Sequence, residues 1–422
     1  MGVLDGVKVV ELAEHGFVPS CGAILADWGA DVVKIERPTG DPLRIVMQQG
    51  FVADTGDFNF LFELYNRNKR GITLDLRIAE GRAAFDRLIR DADLFLTNFL
   101  PSAREKLHVM PEDVWKVNPR LVYAKGHGQG QRGPDADLGG FDAISFWSRG
   151  GVGHILTAPG APLVMPRGAF GDAPSGAMLA GGVAAALFKR EKADAEWRAR
   201  SASEETPLAA STNGGGAGVI VDVALLATAI WQLSTDLTAT AFLREEPKKL
   251  QAGKSLANPM VGPFRTVDDR WIMLNMLDDV RHWPPLCRAL EIDELIEDPR
   301  FADSDARRAN ADELHAIFVD RIGSRPLPEL VAALAAEDTL FSTMASPLEV
   351  IDDPQVIANG YLAQHPTEPR ARLATAPMQF DDEMTEIRRP APGLSEHTDE
   401  VLGDLGYSSK EIDELREVGA IA

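Results

Sequence analysis

One aspartate of this chain stands where a carboxylate could act as a nucleophile. Asp172 follows a stretch rich in proline and glycine and opens an apolar helix that we predict to run to about Arg190. Pro174 suits the first turn of this helix, where its missing N–H costs nothing, so Asp172 is expected at or just before the N-cap. There it would face unpaired N–H groups and the positive end of the helix dipole, and we expect it to stay ionised. Gly171 and Gly176 keep bulk away from the carboxylate.

Local sequence also allows a purely structural interpretation of this aspartate. An Asp before a helix that begins with Pro most often serves as a cap and has no chemical role. Gly171 and Gly176 are compatible with both interpretations. The choice between cap and nucleophile therefore depends on the other motifs of the chain.

A second segment, Gly128–Gly133, has the spacing G-x-G-x-x-G of a dinucleotide-binding loop. A true fingerprint opens a helix after the first strand of its sheet. Here Pro134 follows, and the segment comes after the fifth predicted strand. We therefore predict a loop with tight turns, and a nicotinamide dehydrogenase is the weaker alternative.

Other catalytic signatures are missing from the sequence. The eight histidines and two cysteines show no metal-ligand spacing, so we expect no metal site. No serine lies in a G-x-S-x-G motif. Cys21 and Cys287 form no disulfide framework and are expected to be buried thiols in a reducing cytosol. The basic doublets Lys69–Arg70 and Lys189–Arg190 are expected on solvated faces.

Length and charge limit the possible functions further. A chain of 422 residues exceeds the usual size of one hydrophobic core, so two domains are expected. A net charge of −21 argues against nucleic acid and anionic membranes as partners. No apolar run reaches the length of a membrane span, and the N-terminus lacks a signal-peptide pattern. We expect a cytoplasmic protein.

Strands and helices alternate over the first 190 residues. This alternation predicts a parallel sheet covered by helices on both faces. The predicted strands are Lys8–Leu12, Asp31–Glu36, Gly71–Leu76, Leu94–Phe99 and Leu121–Lys125, and the predicted helices between them are Pro19–Ala30, Phe58–Asn66, Ala79–Ala92 and Glu112–Asn118.

The rest of the chain differs in composition. Residues 193–218 are rich in Ala, Ser, Thr and Gly and are expected to form a flexible surface segment. A long apolar helix is predicted over Val221–Leu243, and a smaller α+β unit after it contains a strand at Trp271–Asn275. Residues 371–380 are predicted to form a strand, and the chain ends in an amphipathic helical tail.

Several ordered blocks of the chain resemble class III CoA-transferases, the CaiB/BaiF-like family that includes formyl-CoA transferase and carnitine CoA-transferase. The blocks are spaced over nearly the whole length, which makes their combination specific. They are Gly6–Glu11 leading to Leu25–Pro38, Asn66–Leu76, Asn98–Phe99 with Pro101, Asn118–Leu121, the Gly171–Gly176 segment, Phe188–Lys192 and Glu396–Thr398.

The resemblance implies a function for particular residues. Asp172 matches the acyl-accepting nucleophile of the family. Coenzyme A or acyl-CoA is the implied substrate, and no tightly bound cofactor is expected. The implied contacts to CoA are His15, Gly16, Arg37, Leu74, Arg77, Asn98, Phe99, Lys106, Phe141 and Asp142.

The resemblance also implies an architecture. It is an α/β fold with a Rossmann-like parallel-sheet large domain and a smaller α+β domain, in an interlocked homodimer. The implied bounds are 1–200 for the large domain, 201–224 for a flexible insertion and linker, 225–325 for the small domain, and 326–422 for the C-terminal part that returns to the large domain.

The implied activity is transfer of CoA between an acyl-CoA and a small carboxylic acid, through an aspartyl anhydride and an aspartyl-CoA thioester. A 2-methylacyl-CoA racemase shares the fold but carries a Gly-His-Asp block where this chain reads Gly140, Phe141 and Asp142. Phenylalanine cannot take a proton, which disfavours the racemase. A non-catalytic CoA-binding protein is the alternative from another class.

Overall fold

Six parallel strands form the sheet on which the predicted site residues depend. The structure, a computed structural model, describes residues 2–49, 53, 55–203, 218–247 and 258–422, apart from the side chains of residues 48, 49 and 197–203. The sheet has the order β3-β2-β1-β4-β5-β6 and every neighbouring pair is parallel. The predicted α/β class is confirmed. The strands are β1 (Lys8–Leu12), β2 (Asp31–Glu36), β3 (Arg70–Thr73), β4 (Leu94–Thr97), β5 (Val122–His127) and β6 (Ile220–Ala224).

Nine helices accompany these strands in the described part of the chain before residue 247. They are α1 (Phe17–Asp27), α2 (Phe60–Asn66), α3 (Ala79–Asp91), α4 (Pro101–Lys106), α5 (Pro111–Val117), α6 (Val152–Leu156), α7 (Asp172–Ser203), α8 (Leu225–Gln232) and α9 (Ser234–Leu243). A 3₁₀ segment covers Pro42–Gln49, and a π-helical segment covers Ala143–Arg149.

The remaining elements come from the second half of the chain. The strands are β7 (Val261–Arg265), β8 (Trp271–Asn275), β9 (Phe341–Thr343), β10 (Leu362–Gln364) and β11 (Arg372–Ala374), and the helices are α10 (Asp279–Ala289), α11 (Ser304–Ala309), α12 (Ala311–Gly323), α13 (Leu327–Ala336), α14 (Pro347–Val350), α15 (Pro354–Ala358), α16 (Thr398–Asp404) and α17 (Ser409–Glu417), with a 3₁₀ turn at Asp293–Leu295.

Both faces of the parallel sheet are covered by apolar side chains. Because successive residues of a strand point to opposite faces, Val9 packs in a core with residues of α1, α7 and α8, and Val10 packs in a second core with residues of α3, α16 and α17. Residues of α1 from Phe17 to Ala26 are all buried. The helix that begins beside the predicted site is therefore held on all sides.

The chain forms two compact units. One contains residues 1–157, 163–246 and 355–422, and the other contains residues 158–162 and 247–354. The second unit has its own core around an antiparallel sheet of order β7-β8-β9. The strand predicted at Trp271–Asn275 is confirmed as β8. The sequence-based domain bounds stay a prediction.

The prediction of one long helix over Val221–Leu243 is wrong. The residues before Leu225 form β6, which pairs with β5, and the helical part is divided at Leu233. A short apolar run rich in β-branched residues suits a buried strand as well as a helix, and pairing with β5 decides between them. The strand expected at 371–380 is limited to Arg372–Ala374.

The helix that begins at Asp172 is longer than predicted. It continues past Arg190 to Ser203, so the first part of the segment expected to be flexible is helical. The rest of that expectation, residues 204–217, lies outside the described residues.

Buried charge was underestimated from the sequence. Lys69, expected on a solvated face, is completely buried, and its Nζ lies 2.8 Å from Glu11 Oε2. Arg190 is also buried and pairs with Asp93 at 2.8 Å. Buried ions are found almost only in pairs, and in both cases the partner is far away in the chain. The two cysteines are buried, as predicted.

Candidate active site

A cavity of about 930 Å³ lies at the edge of the sheet where the parallel strands end. In the order β3-β2-β1-β4-β5-β6, the strands β2 and β3 lie on one side of β1, and the strands β4 to β6 lie on the other. The strand order therefore reverses at β1. In parallel sheets, such a switch point opens a crevice beyond the carboxyl ends of the strands. The cavity is lined there by residues that follow β1, β2, β3, β4 and β5. Its volume is in the range of sites for cofactor-sized ligands.

Asn98 ties together the two loops that flank the switch point. Its Nδ2 donates to the Glu14 carbonyl oxygen at 2.6 Å, and its Oδ1 accepts from the Glu14 N–H at 3.1 Å. The loop after β4 thereby fixes the loop after β1, which carries the next residue, His15. Asn98 therefore shapes the cavity wall in addition to lining it.

Most of the predicted site residues come together around this cavity. The lining includes His15, Arg37, Leu74, Arg77, Asn98, Phe99, Phe141 and Asp172. Three predicted residues do not line it. Gly16 lies against Asp172, Asp142 lies behind Gly171, and Lys106 is exposed at the end of α4, a helix whose Ala103 does line the cavity.

Two guanidinium groups line the cavity and are exposed. Arg37 is about half exposed and lies 3.2 Å from Glu14. Arg77 is 78% exposed and lies 2.6 Å from Asp75. Apolar residues also line the cavity, among them Leu74 and Phe99. Exposed arginines beside an apolar interior suit a ligand with phosphate groups at one end.

Close packing of two helices determines where Asp172 lies. A Cβ added to Gly176 of α7 would come within 1.8 Å of Ser20 Oγ of α1, so these helices approach through a glycine. A Cβ added to Gly16, immediately before α1, would lie 2.6 Å from Asp172 Oδ2. The beginning of α7 is therefore held against the beginning of α1, and the carboxylate occupies the space above Gly16.

The surroundings of Asp172 disfavour its ionised form, contrary to the expectation that it stays ionised. Burial, and secondly the negative charge of Asp142, raise its pKa from 3.8 to about 7. The N–H groups of Ala173 and Ser175 already donate to the carbonyl oxygens of Ala169 and Gly171. Among the described residues none donates a hydrogen bond to the Asp172 carboxylate. The helix terminus thus offers little to offset the loss of water.

Two further polar groups surround Asp172. Asp142 is buried and accepts a hydrogen bond from the Gly171 N–H at 3.0 Å, which fixes the residue before Asp172. Burial raises the pKa of Asp142, although the N–H groups of Gly171 and Phe170 oppose this shift. Burial and the charges of both aspartates raise the pKa of Tyr65, so its hydroxyl keeps its proton.

A buried ionic network supports the loop that carries His15. Asp41 Oδ1 accepts from the His15 N–H at 3.1 Å, and its Oδ2 lies 2.9 Å from Lys34 Nζ. The residue adopts a left-handed backbone, with φ 65°, and its ring packs edge-on against Phe141 with centroids 5.2 Å apart. Burial lowers the pKa of the His15 imidazole, although Asp41 opposes this shift.

Sequence reasoning missed several residues of the cavity. His127, at the end of β5, lines it and lies 3.2 Å from Asp222 of the neighbouring β6. The rule that parallel strands end at the same edge could have identified His127. Leu225 and Gly419 also line the cavity, and no local signal marks them because they lie far away in the chain.

Neither a metal-binding cluster nor a membrane-spanning helix occurs among the described residues. No group of three or more histidine, cysteine, aspartate or glutamate side chains there could hold a metal ion. Of the helices within those ranges, none is long and apolar enough to cross a membrane.

Comparison with known proteins agrees with the blocks found in the sequence. The sequence profile described as "CoA-transferase family III" matches residues 4–200 and 207–398. The chain is similar to (R)-2-hydroxy-4-methylpentanoate CoA-transferase of Clostridioides difficile, with 30% identity over 98% of each chain. It is 29% identical to cinnamoyl-CoA:phenyllactate CoA-transferase of Clostridium sporogenes, over 98% of this chain and 96% of that one.

A solved structure gives the same result for the fold. The crystal structure of a CAIB/BAIF family protein from Brucella suis superimposes with a TM-score of 0.76 and 27% sequence identity. The match covers 96% of this chain and 99% of that chain.

Proposed function

The chain belongs to CoA-transferase family III, and from this membership we propose that it moves CoA from an acyl-CoA to a free carboxylic acid with Asp172 as the nucleophile. As a member it is an acyl-CoA:carboxylate CoA-transferase. The observation that carries the nucleophile is the half-buried carboxylate of Asp172, which lines the cavity and accepts no hydrogen bond from the described residues. A carboxylate without donors keeps its electron pairs for attack.

The first half of the proposed reaction transfers CoA to the enzyme. An Asp172 oxygen attacks the thioester carbonyl, the C–S bond breaks, and a mixed anhydride and the CoA thiolate result. The thiolate then attacks the aspartyl carbonyl, which releases the donor carboxylate and leaves an aspartyl-CoA thioester. Each intermediate remains an activated acyl group, so little driving force is lost between steps.

The second half repeats these steps with the acceptor acid. Its carboxylate attacks the aspartyl thioester carbonyl and expels the CoA thiolate, giving a new mixed anhydride. The thiolate attacks the acceptor carbonyl, so that acceptor acyl-CoA leaves and the Asp172 carboxylate is restored. Charge and atoms balance without a metal or a redox cofactor.

CoA is proposed to occupy the 930 Å³ cavity. The exposed guanidinium groups of Arg37 and Arg77 suit its phosphates, and Lys106 on α4 supplies a further positive charge nearby. The apolar interior, with Leu74 and Phe99, suits the adenine and pantetheine parts. The pantetheine chain would then end beside His15, Gly16 and Asp172, with Phe141 and Asp142 next to the thioester.

The racemase alternative needs an acid–base pair on two sides of the acyl α-carbon. The position that would supply the histidine is Phe141, which has no titratable atom and packs against His15. Without a histidine at position 141, the site suits acyl transfer by Asp172 better than two-base proton exchange.

A homodimer in the cytoplasm is part of the proposal. Helices α8 and α9 expose several large apolar side chains, and no residue of α9 is buried. A monomer rarely leaves such a surface uncovered. A second copy of the chain, in the interlocked arrangement of the family, would cover it. The exposed residues are Ile230, Trp231, Leu237, Phe242 and Leu243.

Mass spectrometry of trapped intermediates tests the nucleophile. The protein is incubated with a panel of acyl-CoA thioesters, treated with hydroxylamine and digested with trypsin. Cleavage after Arg167 and Lys189 releases the peptide Gly168–Lys189, in which Asp172 is the one carboxylate side chain. We expect a hydroxamate on this peptide.

Two variants complete the experiment. Asp172→Asn should abolish the label and CoA transfer while CoA still binds. The control, Asp57→Asn at an exposed turn, should be labelled like wild type. An unlabelled peptide in an enzyme that turns over, or full activity of Asp172→Asn, would overturn the assignment.

A further inference from the structure

The residues assigned to CoA and to the reaction do not include one histidine of the cavity wall. His127 ends β5 and lines the cavity, and its side chain is buried. Its Nε2 lies 3.2 Å from Asp222 Oδ1 of β6, although the N–H is not aligned with that oxygen for a hydrogen bond. No described residue forms a hydrogen bond with the other ring nitrogen, Nδ1. Asp222 thus occupies one side of the ring, and Nδ1 is left for a ligand.

His127 and the two arginines of the cavity lie at opposite ends of its wall. Arg37 follows β2 and Arg77 follows β3, which are on one side of β1, whereas β5 is on the other side. Neighbouring strands are about 4.8 Å apart, so roughly 14 Å separate the ends of β2 and β5. Asp172, held against Gly16 after β1, comes between them. When the phosphates of CoA meet the arginines, the groups beyond its thioester extend towards β5.

The residues on either side of His127 touch the segments that surround the nucleophile. A Cβ added to Gly126 would lie 2.7 Å from Phe17 Cε1, at the beginning of α1. A Cβ added to Gly128 would lie 2.6 Å from Gly140 Cα, in the loop proposed to lie next to the thioester. The histidine is therefore held between two walls of the reaction centre.

The charges around His127 favour an anion. A single carboxylate, that of Asp222, faces three basic groups, which are His127, Lys125 with its Nζ 3.8 Å away, and Arg104 of α4. Burial raises the pKa of Asp222, but the contact with His127 and the charges of Lys125 and Arg104 outweigh burial and lower it. Glu112, the other acidic residue whose charge acts on Lys125, is exposed.

Arg104 has no carboxylate of its own. Its side chain is 1% exposed, its Nε has no hydrogen-bond partner, and its Nη1 reaches the Tyr123 hydroxyl at 3.5 Å. No Asp or Glu of the described residues lies within ion-pair distance of it. Buried cations are normally paired with an anion. The positive charge behind His127 is thus only partly neutralised by the chain.

The proposed reaction needs a group that attracts a carboxylate. The free acid must approach the aspartyl thioester in a chain with a net charge of −21, close to Asp142. Of the four basic side chains that line the cavity in the described chain, Arg37 and Arg77 lie at the phosphate end, and burial lowers the pKa of His15. The fourth is His127. With protons on both nitrogens, its ring can donate to two carboxylates at once.

We propose that His127 binds the carboxylate of the free acid, donating from Nδ1 to one carboxylate oxygen, with Asp222 beside Nε2. This inference rests on the proposed function of Asp172 and adds the binding site of the second substrate. The contact is with the carboxylate that all acids share, and the group attached to the carboxylate does not take part. The donor acid leaves through the same contact, because the two halves of the reaction run the same steps in opposite directions.

Single-turnover kinetics separate binding of the acid from binding of CoA. The full-length enzyme is loaded with an acyl-CoA, desalted and mixed with the free acid, and mass spectrometry of the quenched protein follows the loss of covalently bound CoA. The probes are acetate, butanoate and phenylacetate, each with its own CoA thioester. The acid concentration at half-maximal rate measures binding of the acid, and the acyl-CoA concentration at half-maximal loading measures binding of acyl-CoA.

His127→Phe keeps a planar ring and removes both nitrogens. Since a hydrogen bond to a charged group is lost, the half-saturating concentration should rise roughly 10- to 100-fold, and by the same factor for the three acids. That of acyl-CoA should stay within about threefold of wild type. His127→Gln keeps an N–H donor and should bind the acids within about fivefold of wild type.

The matched control is His154→Phe, at a side chain that is 61% exposed, which should change neither concentration. Circular dichroism verifies the fold of each variant. If His127→Phe does not fold, His127→Leu takes its place with the same expected results.

Each outcome decides the inference. Unchanged half-saturation by the acids would overturn it. An equal rise for acyl-CoA would place His127 on CoA, and a rise confined to phenylacetate would place it on the acyl chain, so both would also overturn it. In these cases CoA bound to Asp172 would leave the proposed function intact. No CoA on Asp172 with any of the thioesters would overturn the proposed function, and the inference with it.

Discussion

Replacing the proposed nucleophile should stabilise the protein, and the gain should depend on pH. Burial and the charge of Asp142 raise the pKa of Asp172 from 3.8 to about 7. The folded protein therefore keeps a proton on Asp172 at pH values where the unfolded chain has lost it. Below pH 4 both states are protonated and the group costs nothing. As pH rises from about 4 to 7, the folded state loses stability relative to the unfolded chain, and above 7 the full cost remains.

The magnitude follows from the difference between the two pKa values. About three units, at about 1.4 kcal/mol each, give an upper limit of roughly 4 kcal/mol at pH 8. At pH 5 the same calculation gives roughly 2 kcal/mol. Asn fills almost the same volume and carries no charge, so Asp172→Asn should be more stable than wild type by up to these amounts.

Urea denaturation at pH 5 and pH 8, followed by circular dichroism, measures the difference in the free energy of unfolding. Asp57→Asn serves as the control, because that carboxylate is exposed and should show no pH-dependent gain. A gain for Asp172→Asn that is equal at both pH values, or smaller at pH 8, would refute the reasoning. An equal gain would mean that Asp172 is already ionised in the folded protein at pH 5.

Two other predictions concern the surroundings of the site and the assembly. Gly16→Ala places a Cβ 2.6 Å from Asp172 Oδ2. It should lower the rate of CoA exchange by at least about 10-fold, with little change in melting temperature. The control is Gly181→Ala, whose added Cβ meets no atom within 4 Å and which should leave the exchange rate unchanged. Equal effects of the two glycine variants would contradict this. Replacing both Trp231 and Phe242 by Glu should give a monomer in sedimentation velocity, and unchanged sedimentation would exclude this surface as the dimer contact.

Much of the sheet could be predicted from local pattern. Lys8–Leu12 and Asp31–Glu36 are strands with the predicted bounds, because runs of β-branched residues between turn residues suit buried parallel strands. The predicted site residues that follow these strands, His15 and Arg37, also reach the cavity. Residues placed just after parallel strands share one edge of the sheet wherever the strands pair.

Local pattern failed where distant partners decide the structure. Ile220 and its neighbours form β6 because β5 offers an unpaired edge, and nothing in their own sequence requires it. Lys69 is buried because Glu11, from another strand, neutralises its charge, and because Gly22 leaves room for the pair. A basic doublet has the same sequence in both environments.

The sequence by itself determined which residues are available for chemistry. It placed Asp172 at the beginning of a helix, and a set of residues proposed to bind CoA after the strands, since turn and strand preferences are local. The tertiary structure alone decided the state of Asp172 and what surrounds it. Asp142 and Gly16 come to Asp172 from other parts of the chain, and burial depends on such neighbours. The pKa of the proposed nucleophile is therefore a property of packing.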